Sequence, residues 1–423
     1  MDMTDMDVAV IGAGVAGLTT AYRLRDSGRD VRVFETAEVP GGRMTTLRLN
    51  GHLIDTGAEQ IPERGYPETW QLLAELGIDR QEVPRIGGGI AMWRGRARPG
   101  VAHPRGLLTG AGLSLRARRD LLTVMRQRHN LERPEDSAHD VVTESADGDL
   151  LDYLFQPVVS GFFGWHPERS AASPLLALLT AIGPSSTWRT YRDGMDTFAR
   201  ALAANVDLTT SFPVDQVIVD GHRARILSGG TEFTARSVVL AVPAPVACHL
   251  YPEHGSEFLA ACSFSSVVKA HVLLDRPLRS RDYAILAPTR ENGTVSTIMF
   301  DHVKHAGRAP NGRGLLTVMA HPAVVPDLMD APDDVVATRL TDAAERLVPG
   351  LRAAATSVIV RRFAHALPEA TPHALALRPS FEAGLGGLVD YAGDWVFLSP
   401  SSEAAVRSGL RAAHRLTHAK ERA

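Results

Sequence analysis

At 423 residues, 44% hydrophobic and 22% charged, the chain exceeds one ordinary core and reads as a soluble globular protein of two interleaved domains. A formal net charge of −3 excludes a nucleic-acid binder or a strongly cationic membrane surface. Two cysteines, Cys248 and Cys262, are too few for a disulfide framework and lack metal-ligand spacing, so no metal site and a cytoplasmic location are expected.

The acidic N-terminus, MDMTDMD, runs straight into a strand and lacks the form of a secretory or transit signal. No apolar run reaches the roughly 18 residues that span a bilayer. Asp7–Ile11 has the apolar character of a buried parallel strand, and Gly12-Ala-Gly14-Val15-Ala16-Gly17 follows at once. A helical pattern then runs to Gly28, and a second strand, Val31–Phe34, ends in Glu35. Strand, glycine turn, helix, strand and acid together form a dinucleotide-binding unit. Gly12 permits the tight turn, Gly14 lets backbone approach a pyrophosphate, and Gly17 lets the helix lie close on the sheet. The helix start at Val15 and Ala16 offers free N–H groups to phosphate, and Glu35 can accept hydrogen bonds from a ribose.

The segments that follow carry a family resemblance. Pro40-Gly41-Gly42-Arg43-Met44 resembles the GGR segment of glutathione-reductase-like FAD proteins in the amine-oxidase branch, where the Arg reaches pyrophosphate or flavin. Leu53-Ile-Asp55-Thr-Gly57-Ala58-Glu59-Gln60 is similar to that family's segment beside the isoalloxazine ring. Near the C-terminus, Tyr391-Ala-Gly393-Asp394-Trp395 and the helix Ser402-Glu403-Ala404-Ala405-Val406-Arg-Ser408-Gly409 resemble two further signatures. There Asp394 would contact the ribityl-phosphate region, and the helix start at Ala405 and Val406 would point at flavin or pyrophosphate. Ala404 stands where glycine is usual. The chain therefore resembles the flavin-containing amine oxidase and protoporphyrinogen oxidase superfamily. This implies an α/β fold: a glutathione-reductase-like Rossmann FAD-binding domain with an inserted α+β substrate domain.

Between these ends, residues 68–190 read as largely helical, for example Glu68–Leu76 and Leu115–Asn130. Tyr191-Arg-Asp-Gly194-Met195, a helix over Thr197–Ala204 and short strands to Val242-Pro243 return to the FAD domain; the resemblance sets Val214 against the adenine. Residues 264–366 read as strands at 266–274, 294–300, 314–320 and 357–363, with a helix at 333–347. The expected division is an FAD domain from 1–67, 191–263 and 385–423, and a substrate domain from 68–190 and 264–384.

Flavin performs the difficult electronic step in such enzymes, so no nucleophile or metal cluster is needed. Strand alternation places Val268, Ala270, Val272 and Leu274 on one face, and Lys269 with His271 on the other. Monoamine oxidase has a similar strand whose lysine holds a water against flavin N5, which makes Lys269 the candidate catalytic residue. It is one of only three lysines, with Lys304 and Lys420, in a chain with 45 Lys and Arg together. His271, on the same face, is a candidate for the substrate pocket, although a structural role is the favoured reading. Arg361-Arg362-Phe363-Ala364-His365-Ala366-Leu367-Pro368 resembles a segment lining the family's substrate cavity, with Phe363 in place of the usual Trp and His365 beside it. His373 falls near a usual glycine, where it would reshape the pocket, and Tyr391 matches either an aromatic-cage position or core packing. With no cysteine near 380–400, FAD is expected to bind noncovalently.

The expected activity is oxidation of an amine or amide C–N bond to an imine, with O2 as acceptor. C–C desaturation of a protoporphyrinogen-like or phytoene-like substrate is the alternative, on the resemblance of Leu154-Phe-Gln-Pro157-Val-Val-Ser-Gly161-Phe-Phe-Gly164-Trp165 to a helix of those branches. A non-enzymatic alternative is a flavin-free protein like the GDP-dissociation inhibitors of small GTPases.

Overall fold

The computed structural model describes residues 5–418 apart from 102, 104–105, 107–109, 128–136, 138, 141–147 and 253–255. Two seven-stranded sheets organise it. In the first, Asp5–Ile11 lies between Thr231–Leu240 and Val31–Phe34, parallel to both. Asp207–Thr209 extends one side, and the antiparallel strands Gln216–Asp220 and Arg223–Ser228 extend the other. Val389–Tyr391 joins the far end of Thr231–Leu240 in parallel, so the last part of the chain returns to the first sheet. Val8, Ala9, Val10 and Ile11 are all buried because helices cover both faces of this parallel core. One of those helices is Val15–Asp26; another is the C-terminal Ser402–His418.

These two helices meet closely. A Cβ at Gly409 would stand 2.5 Å from the carbonyl oxygen of Ala16, so only glycine allows the approach. The Ser408 hydroxyl accepts a hydrogen bond from the Gly393 N–H at 2.9 Å. The Ser-Gly pair in the C-terminal helix thereby ties the segment 391–395 to the glycine-rich turn.

The second sheet runs in the order Ala355–Glu369, Ser263–Leu274, Gly314–Ala320, Val295–Phe300, Ala284–Leu286, Ile90–Trp93, Ala97–Pro99. The alternation predicted for Ser263–Leu274 holds: Val268, Ala270, Val272 and Leu274 pack against Val336, Leu340, Ala343 and Ala344 of the helix Asp333–Glu345. Ile90–Trp93 and Ala97–Pro99 correct the reading of 68–190 as largely helical. They are short strands bounded by glycines and form a hairpin with each other; pairing of Ile90–Trp93 with the distant Ala284–Leu286 adds that hairpin to the sheet. Pro67–Glu75 and Leu115–Gln127 are helices close to the predicted ranges; 128–130 lie outside the described residues. The helix Pro372–Ala383 was not anticipated, although Thr371 caps it by accepting from the Ala374 N–H at 3.3 Å. His373 is exposed on that helix and reshapes no pocket. The α/β class, with a parallel-cored first sheet and a second sheet built from inserted segments, agrees with the sequence expectation. No helix among the described residues is long and apolar enough to cross a membrane.

Candidate active site

A cavity of about 580 Å³ lies between the two sheets, within the size range of small-molecule and cofactor sites. One end is built from the glycine-rich turn. Gly12 has φ 103°, and a Cβ there would sit 2.8 Å from the Ala241 carbonyl oxygen, so the turn requires glycine. Gly17 does not reach the cavity: its missing Cβ lets the helix sit against the Gly12 carbonyl, 2.0 Å from where that atom would be. Gly14, Val15 and Ala16 line the wall, and the helix has no side-chain cap at its start. Its first N–H groups thus face the cavity with the positive end of the helix dipole. A Cβ at Gly14 would meet nothing within 4 Å, which leaves a cradle open on the cavity side. The Glu35 carboxylate also lines the wall, held by the Ala13 N–H at 2.7 Å and the Ala37 N–H at 2.9 Å. Uncapped amides, an open cradle and a fixed carboxylate match the chemistry of a diphosphate and a ribose, so the residues present fit a dinucleotide cofactor.

The middle of the cavity joins segments far apart in sequence. Arg43 donates to both oxygens of Asp394, at 2.9 and 2.7 Å, and to the Ala366 carbonyl at 2.7 Å. Gly42, Gly57, Ala58, Gly393 and Ala405 line the wall with them. Gly57 permits close approach of two loops, since a Cβ there would stand 2.2 Å from the Arg43 carbonyl oxygen. Val406 is fully buried in the core behind Ala405. Val214 is off the cavity wall and packs part-buried with Phe34 and Phe233. Tyr391 is core, tilted against Phe381 and edge-on to Trp395, which decides between the two readings of that position.

The other end is walled by Phe162, Phe163, Val267, Met299, Met319 and Phe363, with His365 at its side. Burial, with the nearby Arg43, lowers the pKa of His365 from its ordinary value. Lys269 lines this end and is only 4% exposed, on an interior strand rather than an edge in water. Its Nζ donates to the Gly57 carbonyl at 2.6 Å and to Glu59 Oε1 at 2.7 Å. His271, on the same strand face, is off the cavity, which corrects its candidacy for the substrate pocket: it contacts the Thr317 hydroxyl at 2.8 Å, and burial pushes its pKa down to about 3.

Behind Lys269 stands a group of charges that sequence reasoning missed. Glu59 Oε2 accepts from Lys304 Nζ at 2.6 Å, and Lys304 also meets Asp55 at 3.2 Å and Asp301 at 3.1 Å. Arg308 pairs with Asp55 at 2.9 Å. The scarcity of lysine that singled out Lys269 applied equally to Lys304, and the two converge on one carboxylate. Lys420 lies outside the described residues.

Residues 15–417 match the family described as flavin containing amine oxidoreductase. The chain belongs to this family. Membership of a flavin-containing family speaks against the flavin-free reading by likeness to the GDP-dissociation inhibitors. Protoporphyrinogen oxidase 2 of Arabidopsis thaliana is 31% identical over 173 residues, 38% of this chain and 33% of that protein. Coproporphyrinogen III oxidase of Mycobacterium bovis is 27% identical over 277 residues, 57% of this chain and 60% of that protein. The chain thus aligns with a third to three-fifths of the length of these curated relatives. Cyclohexylamine oxidase from Brevibacterium oxydans superposes with a TM-score of 0.80 at 17% identity, covering 99% of this chain and 100% of that one. A putative protoporphyrinogen oxidase from Exiguobacterium superposes with a TM-score of 0.77 at 17% identity, covering 98% and 99%. These superpositions establish a common fold.

Proposed function

We propose that the protein binds FAD noncovalently and oxidises the C–N bond of an amine or amide to an imine, with O2 as acceptor. The ribose would be held by Glu35, the pyrophosphate by the N–H groups of Val15 and Ala16, and the rest of the cofactor along Gly42, Arg43, Gly57, Ala58, Gly393, Asp394 and Ala405. Noncovalent attachment is supported by the placement of Cys248 and Cys262 in the apolar cluster around Phe258, away from the cavity wall. Both are free thiols, in keeping with a cytoplasmic enzyme. Bound FAD supplies the two-electron redox chemistry that no side chain of this chain can.

The observation that carries the proposal is Lys269 on the cavity wall. Two of the three ammonium N–H bonds are engaged by Gly57 and Glu59, which leaves one to hold a water in the cavity. Phe363, Met299 and Met319 keep the remaining wall apolar and exclude bulk water. Lys269→Met keeps length and removes charge, so FAD should remain bound. Flavin reoxidation by O2 should slow tenfold or more, since one preorganised donor is worth about 2.7–4 kcal/mol in comparable sites. Stopped-flow absorbance of photoreduced enzyme reads this, and a wild-type rate would remove Lys269 from the chemistry.

C–C dehydrogenation is the second reading. It is favoured by the helix Gln156–Phe163, which brings Gly161, Phe162 and Phe163 to the cavity and extends the apolar wall. Anaerobic flavin bleaching with amine, porphyrinogen and polyene panels separates the two.

A further inference from the structure

Glu59 is the one carboxylate at the Lys269 end of the cavity wall among the described residues, and both of its oxygens are taken by lysine ammoniums. Lys304, Asp55 and Arg308 have no exposed side-chain surface, and Asp301 is almost as buried. Formal charges in this cluster balance: Lys269, Lys304 and Arg308 against Asp55, Glu59 and Asp301. The neighbouring polar groups include Thr317, which donates to Asp301 at 2.7 Å, His271 behind it, Thr46 and Thr190 on Asp55 and Arg308, the Tyr283 hydroxyl, which is buried without a hydrogen-bond partner, and Arg361 opposite Lys269 on the next strand. Only Glu59 and Lys269 of the six charged groups reach the cavity.

We propose that Glu59 is a positioning residue that holds the Lys269 amino group and cancels the joint positive field of Lys269 and Lys304, thereby setting how readily the bound cofactor takes on negative charge. This rests on the reading that FAD occupies the cavity with its reacting end near Lys269. The reason is electrostatic. Charges removed from water act over the cavity at low effective dielectric, so one uncompensated charge there shifts the affinity for any anion. Two-electron reduction with uptake of one proton leaves the cofactor one unit more negative. Addition of inorganic sulfite to it likewise brings in negative charge, so both report the same field.

Glu59→Gln leaves the cluster one unit positive. Lys304 keeps Asp55 and Asp301, and Lys269 keeps the Gly57 carbonyl, so each ammonium remains hydrogen-bonded. Sulfite should then bind the FAD-loaded enzyme at least tenfold more tightly. The midpoint potential should rise by about 30 mV, which is tenfold for a two-electron couple. Lys269→Met should move both in the opposite direction, and the double variant, neutral again, should return to within about threefold of wild type. Lys304→Gln probes the balance from a residue that does not touch the cavity, and sulfite should bind it at least tenfold more weakly; an unchanged affinity there overturns the proposal even if Glu59→Gln fails to fold. Wild-type sulfite affinity and potential in Glu59→Gln, with Lys269→Met shifted, also overturn it while the placement of FAD and Lys269 stands. A double variant that behaves like Lys269→Met overturns charge balance as the cause. If Lys269→Met moves neither quantity, it is the underlying reading of Lys269 that fails.

Discussion

At Gly14 a side chain would project into open space, and its φ of −71° is one that any residue adopts. At Gly17 the same atom would lie 2.0 Å from the Gly12 carbonyl oxygen. The fold therefore requires glycine at 17 but not at 14, and on the proposed FAD site it is the pyrophosphate that would require it at 14. Gly14→Ala should fold with an unfolding midpoint close to wild type but purify with little or no flavin, as read by absorbance and urea titration. Gly17→Ala forces helix and sheet apart and should lose stability, by the roughly 1–3 kcal/mol typical of overpacking or more. Full flavin loading of Gly14→Ala would contradict the phosphate cradle. The roles of these glycines were legible because backbone geometry depends on a few neighbouring residues. The surroundings of Lys269 were not: its partner Glu59 lies 210 positions away, and Lys304, which shares that carboxylate, lies 35 away, with no local pattern joining them.

Among the elements, the helix Pro67–Glu75 owes its start to the far end of the chain. Glu403, buried in the first turn of Ser402–His418, accepts from the Glu68 N–H at 3.2 Å and the Thr69 N–H at 2.9 Å. It also accepts from the Thr69 hydroxyl at 2.7 Å. A carboxylate from another helix thus satisfies N–H groups that no local side chain caps, and it meets the positive end of the dipole. Glu403→Ala should leave these donors buried and unpaired and cost about 1–3 kcal/mol, with Glu403→Gln retaining part of it. Equal urea midpoints for wild type and Glu403→Ala would show that water serves these groups as well. Sequence periodicity located this helix and the alternating strand Ser263–Leu274, since both signals are written within one element. It passed over the short hairpin of Ile90–Trp93 and Ala97–Pro99, which joins the sheet only through the pairing of Ile90–Trp93 with Ala284–Leu286, nearly two hundred residues away.

For the whole molecule, buried ionisable groups predict acid sensitivity. Burial pushes His271 down to about 3, aided by Lys269, and burial also lowers His305, His321 and His365. An unfolded histidine titrates near about 6.5. As pH falls below that value the unfolded chain binds protons that the folded chain refuses, so stability falls with acid. Burial pushes Glu59 upward, but Lys269 and Lys304 prevail and hold it down at about 2, so its stabilisation is present above the ordinary carboxylate range and lost as pH falls through about 2. Burial raises Asp301, whose contribution has the opposite sign: it is present below the ordinary carboxylate value and lost as pH rises. Between about pH 6.5 and 4.5 the four histidines act together to lower stability with acid, against the opposite contribution of Asp301. The urea midpoint should decline across this window, and His271→Asn should flatten the decline. An unaltered slope in His271→Asn would mean that the ring is protonated in the folded state.

The glycine turn, Glu35, the two terminal signatures and the strand alternation about Lys269 follow from residues close in sequence, because each depends on local backbone geometry or on the period of a single element. Those signals suffice for the fold class and for the uncapped amides and fixed carboxylate at one end of the cavity that fit the proposed FAD. The Arg43–Asp394 pair, the burial of Tyr391 in the core, the displacement of Val214 from the cavity wall and the neutral cluster around Glu59 arise only when segments hundreds of residues apart are packed together. Charge in a low-dielectric interior is governed by distance in space, and distance in space is a property of the folded chain.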